Sequence, residues 1–191
     1  MLRRAILADL PAIDGLRAKN WAALGFLPLS VYERGCPPTT RRDYLTVIEE
    51  NADIVGFIYG TLGHHVGHII QCCIREDARR FERGSNLVHS FEGYALQHGM
   101  TETSCRCRID LESNLFWEVL GYLPIALKEP RFLSHPAQWH KMPLRLWAKA
   151  LTPELFPLSR ALFERLEIGD IQSSPPPVAE ALARSALESL R

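Results

Sequence analysis

Several things are scarce or missing in this chain, and each absence narrows what it can be. There is no net charge: 22 basic residues meet 22 acidic ones. A balanced surface gives no overall field to hold the protein on nucleic acid or on an anionic membrane. Arg41, Arg42, Arg106 and Arg108 are the only hint of a polyanion partner, and they read as solvated or paired charges. No apolar run approaches the length of a membrane span. Leu10 to Leu24 is broken by Asp14, Arg17 and Lys19, so it does not read as a secretory leader. The five cysteines are odd in number and stand in CC and CxC spacings, which points to reduced thiols in a cytoplasmic protein. Metal spacing is also lacking. His64 and His65, as neighbours on a strand, would point to opposite faces, His68 stands apart, and no carboxylate or cysteine pair accompanies them. Cys105 and Cys107 share a face but read, like Cys72 and Cys73, as core residues.

What is present is a strand, a basic loop and a helix in succession. His68 to Ile74 reads as a buried strand; Leu87, Phe91 and Tyr94 recur at helical spacing; Gly99 is suited to end that helix. Between strand and helix lie Arg79, Arg80, Arg83, Gly84 and Ser85. The first amides of a helix have no partner within it and attract anions, so the loop forms a cradle suited to a diphosphate.

The segment Ile74, Glu76, Asp77, then Arg79 Arg80 Phe81 Glu82 Arg83 Gly84, with Leu87 after it, resembles the [Q/R]xxGx[G/A] signature of the Gcn5-related N-acetyltransferases (GNAT). The resemblance implies that the backbone from Arg79 to Ser85 wraps the pyrophosphate of acyl-coenzyme A, and that a backbone N–H near Cys72 to Ile74, where the family's two central strands splay apart, is the oxyanion donor. Glu82 departs from the pattern, standing where the family usually has its first glycine.

The remaining segments follow the family's order. Leu2 to Ala8 reads as a first strand, Asp9 as the N-cap of a helix carrying Ile13 and Leu16, Tyr44 to Glu49 and Ile54 to Gly60 as a hairpin, and Thr103 to Ile109 as a strand with two unlike faces. Ser113 to Tyr122 resembles the family's late helix. Tyr122 to Leu127 and Trp139 to Leu146 read as the last two strands, with Pro143 marking an edge or irregularity. The resemblance implies an α/β (α+β) GNAT fold over 1–148, with a mixed central sheet of about seven strands flanked by helices.

Residues 149–191 read as a helical C-terminal extension with a Pro-rich linker at 173–177. Beyond it, Val178, Leu182, Ala186 and Leu190 share a helix face that either folds back on the core or serves a homodimer or another protein through 178–190.

Acyl transfer to an amine needs a proton acceptor, donors for the oxyanion and a way for the thiolate to leave. His68 stands where the histone acetyltransferase branch has its glutamate base, and imidazole suits that role at neutral pH. Trp117 takes the place of the tyrosine that in many members protonates the thiolate; indole is not a usable proton source. The sequence thus supports an acetyl-CoA-dependent N-acyltransferase, by direct transfer to an amine through a tetrahedral intermediate and without a metal. The alternative is a GNAT-fold binding or regulatory module, impaired by Glu82 and Trp117, that works through its C-terminal helix.

Overall fold

The computed structural model describes residues 1–36, 41–79, 82–128 and 143–151. Arg80, the linker at 173–177 and the helix at 178–190 lie outside the described residues.

Seven strands form one sheet: β1 Leu2–Arg4, β2 Asp43–Glu50, β3 Asp53–Leu62, β4 Val66–Ile74, β5 Glu102–Arg108, β6 Leu123–Lys128 and β7 Leu144–Ala150, in the order β1-β2-β3-β4-β5-β7-β6. Only β4 and β5 run parallel, joined by the crossover helix that the cradle opens. The first strand is shorter than its sequence suggests. It ends at Arg4 because Asp9, instead of capping the following helix, accepts from the Ile6 amide and from both Arg3 Nη atoms (2.7 and 2.8 Å), which turns the chain. Pro143 stands just ahead of β7, which is an interior strand between β5 and β6, so the proline marks a strand start and not an edge.

Helices α1 (Leu10–Lys19), α2 (Trp21–Leu24) and α3 (Leu29–Glu33) are on one side of the sheet, where Ile13, Leu16 and Tyr32 pack on Leu45, Val47, Phe57, Tyr59 and Cys73. Helices α4 (Arg83–Gln97) and α5 (Ser113–Val119) cover the other, where Leu87, Val88, Phe91 and Trp117 pack on Ile58, Ile69, Cys105 and Trp147. The hairpin from β2 to β3 turns through Asn51 and Ala52, both left-handed (φ 51° and 67°), as a two-residue turn between twisted strands requires. All five cysteines are free thiols, and burial pushes Cys73 up to about 11 and Cys105 higher, so neither is an available thiolate. Among the described residues no helix is long and apolar enough to cross a membrane, and no three His, Cys, Asp or Glu side chains are grouped to hold a metal.

Two irregularities in β4 shape the site. Tyr59 pairs with Gln71 and Gly60 with Ile69, so Ile70 is an extra residue, a β-bulge. Pairing with β5 runs from Val66↔Glu102 to Ile69↔Cys105 and stops there, although β4 stays paired with β3 to Ile74 and β5 with β7 to Arg108. From that point the sheet splits into a wedge, and the backbone of Ile70 to Ile74 on its β5 side has no strand partner. The wedge opens over about 16 Å toward the start of α4.

Candidate active site

The wedge leads to the cradle. The hydrogen-bond ladder of α4 begins with the Asn86 amide on Glu82 O (2.8 Å), so the amides of Arg83, Gly84 and Ser85 form the free first turn. Arg83 does not point its guanidinium at the cradle as the sequence suggests. It donates to both carboxylate oxygens of Glu50 (2.6 and 2.8 Å) and to Ala78 O, so its charge is neutralised by β2 and holds the Glu50 carboxyl below its usual range. Arg79 bridges Ile74 O (3.3 Å) and Asn20 Oδ1 (3.0 Å) and remains exposed. Gly84 serves packing: a Cβ there would lie 3.1 Å from the Phe116 ring, so its absence lets α4 settle against α5.

Glu82 sits in the left-handed region (φ 55°, ψ 0°) at the N-cap of α4 and makes no side-chain cap. That conformation costs a residue with a Cβ on the order of 1 kcal/mol and glycine almost nothing. Glu82→Gly is expected to raise stability by about 1 kcal/mol, roughly 2–4 °C in melting temperature, measured by thermal unfolding. No gain would show that the turn is not strained.

His68 lies on the face of β4 opposite Gly67 and Ile69, which meet α4, and so faces the α1–α3 side. Its Nδ1 is 2.9 Å from Ser104 Oγ on β5, beside the point of the split. That contact fixes the ring, and Nε2 lies beside the turn between β3 and β4, where a Cβ on Gly63 would be 3.2 Å from it. The ring is exposed at its edge, yet the surrounding protein lowers the His68 pKa below 6.5, and the charges of Arg106 and Lys128 lower it further. His68 is therefore mainly neutral at pH 7, as a proton acceptor must be. His64 and His65 lie in the turn before β4, where their rings stack at 5.2 Å instead of pointing apart.

Trp117 is buried, at 7% exposure, packed edge-on against Phe116 and Tyr122. It belongs to the core beneath the wedge and is not an exposed donor in it. Cys72 and Ile74 are half-buried on the α4 side of β4 and contribute backbone to the wedge wall.

Three residues have a place in the site that the sequence reading does not assign, because partners far along the chain decide it. Gln71, buried, donates to Leu24 O (3.0 Å) and Gly25 O (3.3 Å) and accepts from Tyr32 Oη. Arg108, held by Asp110, reaches from β5 to Ala22 O (2.5 Å). With Arg79 on Asn20, they tether α2 to both sides of the split. Ser104 completes the set; its place in the alternation with Arg106 and Arg108 was the one available signal.

A family model described as the acetyltransferase (GNAT) family matches residues 18–122, more than half of the chain. A search of curated protein sequences finds no significant relative. Among solved structures, the chain is similar to the ribosomal-protein-S18-alanine N-acetyltransferase from Escherichia coli (TM-score 0.64, 13% identity, 80% of this chain and 94% of that one). It is also similar to Chaetomium thermophilum Naa20 in complex with a bisubstrate analogue (0.66, 18%, 78% and 86%). A third is a putative acetyltransferase from Salmonella typhimurium with its cofactor acetyl-CoA (0.65, 12%, 80% and 94%). Split sheet, cradle and crossover helix thus occur in the order and place that the family model spans, and the chain belongs to the GNAT acetyltransferase family.

Proposed function

We propose that the protein transfers an acetyl group from acetyl-CoA to an amine, with His68 as the proton acceptor. The observation that carries this reading is the wedge between β4 and β5, which joins an amide-lined helix start at one end to a fixed, neutral imidazole at the other. The first-turn amides of α4 and the exposed Arg79 suit the diphosphate, and the partnerless backbone of Ile70 to Ile74 suits an extended arm laid along β4 and a donor for the thioester oxyanion. The acceptor amine attacks the carbonyl carbon, His68 Nε2 takes its proton, and the tetrahedral intermediate collapses as the C–S bond breaks and the thiolate departs. A thiol's pKa lies near enough to neutrality for that departure without a general acid, so a buried Trp117 does not block the step.

Ligand binding to the native state alone must stabilise it. Acetyl-CoA at about 100 times its dissociation constant is expected to add roughly 2.7 kcal/mol of stability. Differential scanning fluorimetry measures the rise; an unchanged melting temperature at millimolar acetyl-CoA would overturn the reading.

A further inference from the structure

The face of β5 that carries Ser104 continues to Arg106 and Arg108. Arg106 is one position beyond the last pairing of β4 with β5, at the mouth of the wedge and about 7 Å along the strand from the residue that holds His68. It is exposed, and among the described residues it makes no hydrogen bond or ion pair, whereas Arg108 is committed to Asp110 and Ala22. The ground beside it is apolar. Leu146 of β7 is its direct neighbour, Leu144 lies two pairs further on and on the same face, and Lys128 of β6 pairs with Leu144. The charges of both Arg106 and Lys128 reach His68.

This arrangement is unexpected for a cleft that receives an amine. A site that recognised its acceptor by the ammonium form would present carboxylates, and a guanidinium repels that form. An exposed arginine, beside the base and above an apolar strip, instead presents a planar pair of donors that match a carboxylate. We propose that the acceptor carries a carboxylate near its reacting amine and that Arg106 is the residue that binds it. The binding also orders the acceptor: the carboxylate is anchored on β5 and the amine is set toward His68. This inference rests on the transferase reading.

The test compares acceptors that differ only in charge. One arm sets an amino acid against its carboxamide; the other sets a peptide with Glu at the second position against the same peptide with Gln or Lys. The value of kcat/KM with acetyl-CoA is measured for each, and titration calorimetry gives the affinity of the matching conjugates of coenzyme A joined through an acetyl bridge to the amine. The carboxylate member of at least one arm is expected to exceed its neutral counterpart by roughly tenfold or more, and the arm that does so identifies the source of the carboxylate. Arg106→Ala should bring that ratio close to one, Arg106→Lys should restore part of it, and Arg106→Glu should turn the preference toward the Lys peptide. Ratios near one in the native protein, or a ratio untouched by Arg106→Ala, would overturn the assignment. If acetyl-CoA also fails to raise the melting temperature, the transferase reading falls with it; if the rise is present, only the role of Arg106 is lost.

Discussion

His68→Gln is expected to lower kcat by about 10²–10⁴-fold while the thermal stabilisation by acetyl-CoA stays as in the native protein. Glutamine retains a hydrogen-bonding group toward Ser104 but cannot accept a proton near neutral pH. The cradle at α4 and the wedge backbone are untouched, so loss of binding would point to misfolding instead of lost chemistry. The pH dependence adds an independent check. Crowding by the protein and the charges of Arg106 and Lys128 lower the His68 pKa, so the neutral, active form persists below pH 6.5. At saturating substrates kcat should rise on leaving acid and reach its plateau through a midpoint under 6.5; the His68→Gln profile should lack that limb. Unchanged kcat in the variant would remove His68 from the mechanism.

Phe91→Ala is expected to cost about 3–5 kcal/mol of folding stability, a large share of the 5–15 kcal/mol typical of a domain. Phe91 is fully buried on α4, and its ring fills the hollow left by two glycines: a Cβ on Gly60 would lie 2.4 Å from it, and one on Gly67 3.1 Å. Tyr44 meets the same ring edge-on with centroids 5.4 Å apart. Gly60 and Gly67, directly under the ring, have no side chain with which to refill the space, so a cavity is left in the variant. Because α4 also presents the first-turn amides of the cradle, the variant should lose affinity for acetyl-CoA as well. Urea unfolding gives the first quantity; a loss under 1 kcal/mol would show that the helix holds its place by other contacts.

Phe91 also illustrates what is legible in the sequence. Its spacing with Leu87 and Tyr94 marks the helix, and local patterns of this kind mark most strands and helices and their order, which depend on neighbours within a few residues. Of the strand expected from Trp139 to Leu146, residues 139–142 lie outside the described residues, and β7 runs Leu144–Ala150, past the expected end at Leu146. What could not be read were contacts between distant positions. Arg83 looked like an anion ligand because Glu50, its partner, is 33 residues away. Trp117 looked like a site residue because its position in the late helix says nothing about whether Phe116 and Tyr122 enclose it. The end of the β4–β5 pairing is a property of two strands and leaves no mark in either alone; only the family resemblance implies it, near Cys72 to Ile74, and the observed split begins after Ile69.

The extra residue at Ile70 has a further consequence for how β4 is written. Before it, one face of the strand takes Gly67 and Ile69; after it, the same face takes Cys72 and Ile74. The strand therefore behaves as two half-strands in opposite phase, and His68 and Gln71, three positions apart, come to the same side. The base and the residue that anchors α2 are thus kept in step by a single inserted unit. Deleting Ile70 would therefore leave every remaining side chain on its present side and join the two halves into one unbroken alternation, removing only the bulge that stands where the sheet splits.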